Sequence, residues 1–301
     1  MTLQEEISEL KKEKDAIILA HYYVPKEVQE IADFTGDSFY LSKLAQKNQN
    51  KIIVFCGVDF MGESAKLLSP EKTVLMPDKN ADCPMAHMVS KQQVQNFRDE
   101  YKDSAVVCYI NSTMEIKSWS DVCVTSSNAV KIVKKLPNKN ILFIPDKNLG
   151  RFVAQQVPEK NIHLIDGYCP VHDSMQIQQI KDLQKAHPKA LLLAHPECTK
   201  EICLCADYIG STSGIITYAT EHSNKEYIIA TEEGVLAELQ RKNPQKTFYF
   251  TATTPICHGM KLITLEKIKH VLETGDNSVS IQQDQTAQAK LTLERMLSLA
   301  Q

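Results

Sequence analysis

Short apolar runs alternate with amphipathic stretches along the chain. Residues 3–14 set Ile7 and Leu10 among Glu and Lys at helical spacing, which predicts a surface helix. Residues 15–20, DAIILA, predict a buried strand that ends at His21-Tyr22-Tyr23. Pro25 opens a helix through Ile31 that Gly36 ends, and Asp37-Ser38 caps the next one. Residues 51–55 predict a strand, 62–68 a helix and 73–76 a strand, and the following loop carries Cys83. The pattern then restarts. A helix over 88–101 leads to a strand over 105–108, which ends at Tyr109-Ile110-Asn111. A short strand over 121–125, a helix from Ser126 to Leu136, a strand over 141–144, a helix over 149–157 and a strand over 162–165 lead to Cys169. The third round runs from a helix over 174–186 to a strand over 190–194, ending at His195-Pro196-Glu197. A helix from Thr212, a strand over 227–230, a helix over 233–240 and a strand over 247–250 lead to Cys257. Helices over 264–273 and 286–299 close the chain.

Counting supports three copies of one unit. His21, Tyr109 and His195 each follow the first strand of a round, and Ser38, Ser126 and Thr212 each lie 17 residues further on. Asp33, Asp121 and Asp207 precede those landmarks by five residues. The step from landmark to cysteine is 45, 43 and 45 residues, so one two-residue deletion in the middle round accounts for the register. A period this regular marks an internal repeat. Alternating strand and helix predict an α/β fold with parallel sheets. Three similar αβα domains in a pseudo-threefold arrangement are expected: 1–84 packed with the closing helices of 260–301, then 85–170, then 171–259. Ligands of open α/β sheets bind beyond the carboxyl ends of the strands, and every landmark falls at such an end.

Composition narrows the classes. A net charge of -3 over 301 residues offers no polyanion-binding surface, so nucleic acid is not expected as a partner. The start, Met1-Thr2-Leu3-Gln4-Glu5-Glu6, does not read as a signal peptide, and no apolar run is long enough for a membrane. A cytoplasmic protein is expected. Nine cysteines are many for such a chain, but a disulfide framework wants a short chain with an export signal and is not expected. Cys56, Cys108 and Cys123 lie in or beside strand-like runs and read as small buried hydrophobes.

Cys83, Cys169 and Cys257 lie just past such runs, in equivalent loops. Three thiolates gathered on one axis can hold three irons of a four-iron, four-sulfur cluster and leave the fourth open as a Lewis acid. Zinc is the rival, but structural zinc wants four ligands, commonly from Cys-x-x-Cys pairs, and this chain has none. The densest cysteine run, Cys198 to Cys205, reads as a packed short helix. Ser38, Ser126 and Thr212 stand at predicted helix starts, where free N–H groups suit anions. His21, Tyr23, Tyr109, His195 and Glu197 at strand ends carry exchangeable protons, and Asn111 adds a neutral donor and acceptor. His172, His258 and Lys261, close to the cysteines, are expected to support them. Residues 25–36 are a candidate lid.

Several segments together resemble the quinolinate synthase family, the A proteins of bacterial NAD biosynthesis. They are Ala20-His21-Tyr22-Tyr23, Gly36-Asp37-Ser38, Asp82-Cys83-Pro84-Met85-Ala86, Tyr109-Ile110-Asn111, Gly167-Tyr168-Cys169-Pro170-Val171-His172, His195-Pro196-Glu197-Cys198 and Gly210-Ser211-Thr212-Ser213. The resemblance covers nearly the whole chain. It implies three Rossmann-like αβα domains around a central [4Fe-4S] cluster held by Cys83, Cys169 and Cys257. It implies condensation of iminoaspartate with dihydroxyacetone phosphate to quinolinate, phosphate and two waters. Those atoms balance with no electrons left over, so the cluster is expected to act as a Lewis acid. By the same resemblance His21 and Ser38 hold the iminoaspartate part. Tyr109, Ile110, Asn111, Ser126, His195, Pro196, Glu197 and Thr212 line the rest, and Tyr23, Glu197 and His195 carry the acid–base steps. Unstable iminoaspartate implies transient contact with an L-aspartate oxidase or dehydrogenase. Some relatives carry a Cys-x-x-Cys-x-x-Cys run near the third ligand; here Cys257-His258-Gly259-Met260 stands instead, so no thiol switch on that run is implied.

Overall fold

Among the described residues, twelve strands form three separate four-stranded sheets, all parallel. The computed structural model describes residues 1–281 and 283–301, and side chains outside 282–285. The first sheet holds β1 (Ala16–His21), β2 (Phe34–Gly36), β3 (Ile52–Cys56) and β4 (Thr73–Leu75). The second holds β5 (Ser104–Tyr109), β6 (Val122–Val124), β7 (Asn140–Ile144) and β8 (Asn161–Leu164). The third holds β9 (Leu191–Ala194), β10 (Tyr208–Ile209), β11 (Glu226–Ala230) and β12 (Thr247–Tyr249). In each sheet the order is second, first, third, fourth. The sheet order therefore repeats, as the sequence spacing predicts. The first strands of the three sheets are the apolar runs, and β1 is buried along its whole length. A parallel sheet covered on both faces requires such strands.

The repeated aspartates turn out to be structural. Asp33, Asp121 and Asp207 each accept a backbone N–H from the first strand of their sheet, from Ile18, Val106 and Leu192, at 2.7–2.8 Å. The N–H of each aspartate donates back to the carbonyl of the same residue. This reciprocal pair pins the edge strand that follows, β2, β6 or β10. Two of those edge strands, β2 and β10, are absent from the sequence prediction because they span three and two residues and lack an apolar run. Residues 25–36 do not form a free lid. The helix Lys26–Ile31 and strand β2 occupy them, β2 is paired to β1, and the Gln29 amide donates to Tyr22, Val24 and Gly234 carbonyls.

Other differences are local. The helix expected over 88–101 begins at Lys91, capped by Ser90, because Pro84–His87 forms its own short turn of helix. Ser126 does not start a helix. Thr125 N–H donates to the Asn128 side chain, a turn that delays the helix to Ala129–Lys135. The closing helices divide between units. Leu265–Thr274 packs on the N-terminal helix Leu3–Glu13. Gln283–Leu299 rests on the helix Asp59–Leu68 but also on Met114–Ser118 and β6. Its buried Ala289, Leu293 and Met296 supply the apolar contact, and Arg295 and Gln288 donate to carbonyls of Asp121 and Ser120. Among the described residues, no helix is long and apolar enough to cross a membrane.

Candidate active site

The loops after β4, β8 and β12 carry Cys83, Cys169 and Cys257, and each cysteine is followed by one turn of helix: Pro84–His87, Pro170–Asp173 and His258–Lys261. All three border one cavity of about 680 Å³, including its mouth. Burial pushes the Cys83 thiol up to about 12, and Cys257 beside it pushes the same way. Burial also raises Cys169 strongly, reinforced by Glu197 and then Cys83. Burial raises Cys257 as well. Cys83 lies close enough to Cys257 and to Cys169 for ionisation of the thiols to be opposed, and a cationic iron centre relieves such a donor set. These residues therefore fit a cluster held by three thiolates.

The cysteine loops are fixed from behind by a register that the sequence reading missed. Val58, Asp146 and Glu232 lie 37 residues beyond His21, Tyr109 and His195. Asp146 accepts N–H bonds from Cys169 at 3.0 Å and Leu149 at 2.6 Å. Glu232 accepts from Cys257 at 3.0 Å and Gly234 at 2.7 Å, and pairs with Lys261 at 2.9 Å. Gly234 must be glycine here, because a Cβ would stand 2.8 Å from both Tyr22 O and Tyr23 Cα. The third unit thereby approaches the end of β1 and sets Tyr23. In the first unit the position is Val58, and Cys83 N–H turns to its neighbour Asp82 at 2.7 Å. The spacing from this position to the cysteine is 25, 23 and 25 residues, which places the two-residue deletion between Asp146 and Cys169.

The strand ends bring the proton-bearing groups together. His21 Nδ1 accepts the N–H of Tyr23 at 3.2 Å, and His195 Nδ1 accepts the N–H of Glu197 at 3.4 Å. Burial lowers both imidazoles to about 3, against the pull of Glu197. They are neutral, and His195 Nε2 meets Ser126 Oγ at 3.2 Å. The Tyr23 hydroxyl lies 2.7 Å from Thr212 Oγ1 and 2.8 Å from Thr231 Oγ1. Burial, then Glu197, pushes its pKa well above the phenol range, so it stays protonated. Burial alone would raise Glu197, but His172 beside it, with hydrogen bonds from His172 and Tyr109, lowers it. Asn111 Oδ1 and Glu197 Oε1 are buried with no hydrogen-bond partner among the described residues. Buried polar atoms without partners are uncommon, and in a cavity wall they face a ligand.

The cavity wall contains His21, Tyr23, Ser38, Cys83, Tyr109, Asn111, Ser126, Cys169, His195, Glu197, Thr212 and Cys257. Ile110 and Pro196 are buried and do not reach it. The wall also includes residues that the strand-end reading passed over, among them Asp37, Thr125 and Glu232. Asp37 caps the helix Ser38–Lys47 and receives the Ser213 hydroxyl from the helix Thr212–Glu221, so these two helix starts meet at the cavity. His172 joins the cavity wall, Lys261 stands behind it through its ion pair with Glu232, and His258 is exposed. The Cys198–Cys205 run packs, as expected: Cys198 is buried, its thiol donating to Ala230 O, and Lys200–Cys205 is a short helix.

Three four-stranded parallel sheets that share one cavity lined by thiols and proton-bearing side chains define an α/β enzyme. The family profile described as Quinolinate synthetase A protein matches residues 5–298, and the chain belongs to that family. A quinolinate synthase of Clostridioides difficile is 51% identical over 296 residues, 98% of this chain and 97% of the relative. One of Fusobacterium nucleatum is 52% identical over 298 residues, 99% of each. A protein named quinolinate synthase 2 in Methanosarcina acetivorans is 46% identical over 298 residues, 99% of this chain and 96% of the relative.

Proposed function

We propose that the chain condenses iminoaspartate with dihydroxyacetone phosphate, giving quinolinate, inorganic phosphate and two waters, at a [4Fe-4S] cluster held by Cys83, Cys169 and Cys257. What carries this reading is the convergence of one thiol from each sheet on a cavity that also presents the orphan atoms of Asn111 and Glu197. When bound, such a cluster supplies an open-coordinated iron that polarises a substrate oxygen.

The chain's own side chains do the rest. Ser38 and Thr212 are the first residues of ten-residue helices, whose free N–H groups suit a carboxylate and a phosphate. Neutral His21 and Ser38 hold the iminoaspartate part. Tyr109, Asn111 and Ser126 line the remainder. Glu197, whose Oε1 has no partner among the described residues, accepts a proton from substrate carbon or nitrogen. Tyr23, held protonated, delivers one to a departing oxygen. His195 stays neutral and steadies Glu197 through its backbone N–H. Residues 1–84 with 260–301, 85–170 and 171–259 form three working units. Iminoaspartate arrives from an L-aspartate oxidase or dehydrogenase in the cytoplasm.

Anaerobically purified protein is expected to hold about four irons and four sulfides per chain. Cys169→Ala is expected to lose the cluster and at least about 100-fold in turnover, in keeping with loss of a Lewis-acid centre. Full turnover in that variant overturns the reading. Phosphate release from dihydroxyacetone phosphate is expected only with iminoaspartate present; release without it points instead to a hydro-lyase acting on a single hydroxy compound.

A further inference from the structure

A ring of hydrogen bonds crosses between the sheets and joins each cysteine's loop to the strand-end loop of the next sheet. From the first sheet to the second the tie is plain backbone: Thr113 N–H donates to Ala86 O, three residues past Cys83, at 3.3 Å. The other two ties are made by side chains. Lys261, four residues past Cys257, donates from Nζ to Tyr23 O beyond β1 at 2.8 Å. Asn148, just past β7, donates from Nδ2 to Glu197 O beyond β9 at 3.1 Å. The same Nδ2 donates to Asp173 Oδ1, four residues past Cys169, at 2.9 Å. Both side chains are held from a second direction. Lys261 shares Glu232 Oε1 with the N–H of Cys257, at 2.9 and 3.0 Å. Asn148 is 4% exposed, and its Oδ1 accepts from Arg151 at 2.8 Å. Neither residue reaches the cavity wall. The two carbonyls that receive a side chain belong to Tyr23 and Glu197, the residues given proton transfers in the proposed reaction.

We propose that Lys261 and Asn148 are positioning residues, which set Tyr23 and Glu197 against the centre on the three cysteines. The proposal rests on the acid–base roles assigned above to Tyr23 and Glu197. A side chain bonded only at its tip still tilts with its backbone. A donor on the carbonyl fixes the other end, and a misplacement of about 1 Å costs up to about 100-fold in rate. Each donor also binds the support of a cysteine loop: Glu232 behind Cys257, or Asp173 past Cys169. The span from the centre to each proton-bearing residue is therefore carried by a few hydrogen bonds rather than by the long chain between them.

The test is a double-mutant cycle on cluster-loaded, full-length enzyme, with iron counted in every preparation. Lys261→Met should lower kcat at least about tenfold at parent-like iron and move KM by less than about threefold. In a Tyr23→Phe background the same change should cost less than about twofold, because the group it serves is gone. Asn148→Ala should behave in the same way against Glu197→Gln. It removes no charge, so it decides the matter if Lys261→Met, which leaves Glu232 without its cation, fails to fold or to hold iron. Lys261→Arg keeps a donor and should recover most of the rate. Amide exchange at residues 21–24 should quicken in Lys261→Met and that at 195–198 in Asn148→Ala, while residues 109–112 stay as in the parent. Losses that multiply in full in the double variants, or that track iron alone, mark a merely structural role and overturn the proposal. So do parent-like kcat and exchange in both single variants. Parent-like turnover in Tyr23→Phe and Glu197→Gln instead overturns the acid–base reading; quickened exchange then upholds the two ties, and unchanged exchange overturns them.

Discussion

The Cys83 loop and the Cys169 and Cys257 loops present the same thiol by different means. Behind Cys169 and Cys257 stands a buried carboxylate from the end of the third strand, Asp146 or Glu232, which accepts the cysteine N–H. Behind Cys83 the equivalent position is Val58, 2% exposed, and the cysteine N–H turns instead to the half-exposed Asp82. Asp82 also meets His87, one turn into the following helix, at 2.9 Å. Two corners of the site are therefore anchored in the core and one at the surface. A repeat can keep its geometry while the energetic support of one copy moves elsewhere.

The largest effect is expected from forcing the copies to match. Val58→Asp buries a carboxylate where Cys83 N–H is already taken and where Asp59 and Asp82 lie near. An uncompensated buried charge costs on the order of 3–5 kcal/mol. Urea unfolding of the full chain should show that loss; a neutral or stabilising effect would mean Val58 is a vacant anchor after all. Next comes removal of a core anchor. Asp146→Ala leaves Cys169 N–H without its acceptor and uncaps the helix Lys147–Gln156. The lost cap costs about 1 kcal/mol and the orphaned N–H about 1–3 kcal/mol, so a loss of about 3 kcal/mol is expected. Glu232→Ala should fall in the same range, and both should shorten retention of iron.

Protonation gives a second way to compare the copies. The leading strand of the first unit ends in His21, that of the second ends in Tyr109, and that of the third is followed directly by His195. Both imidazoles are held near 3 by burial, while an unfolded histidine titrates near 6.5. Between those values the unfolded chain binds protons that the folded chain refuses. Stability therefore falls as pH drops below about 6.5 and goes on falling to about 3, by up to about 1.4 kcal/mol per pH unit for each histidine. Above pH 6.5 both states are neutral and the contribution is constant. In the metal-free chain, His21→Asn should remove about one proton from this slope, and an unchanged slope would show that His21 does not resist protonation.

Periodicity carried the strands, the three-copy register and the convergence of Cys83, Cys169 and Cys257, because buried parallel strands are apolar runs and loop lengths between them repeat. It could not show β2 and β10, which are too short to have a pattern and are held by Asp33 and Asp207 rather than by apolar faces. Ser126 was misplaced because the turn from Thr125 to Asn128 depends on one side-chain bond. The anchors at Val58, Asp146 and Glu232 were visible in the arithmetic but hidden in chemistry, since an apolar and two acidic residues do not look equivalent. His172 stands three residues past Cys169 in sequence, and only distances reveal that it touches Cys169 and Glu197 together.

The smallest effect tests the surface anchor itself. Asp82 is about half exposed, so water can replace it as acceptor for Cys83 N–H, and its pairing with His87 is screened. Asp82→Ala should therefore cost less than about 1 kcal/mol, well under the loss for Asp146→Ala. Its effect should appear in dynamics: amide hydrogen exchange around Cys83 should quicken while that around Cys169 stays slow. Equal losses for Asp82→Ala and Asp146→Ala would show that the three corners are anchored alike, and that the contrast between core and surface support does not hold.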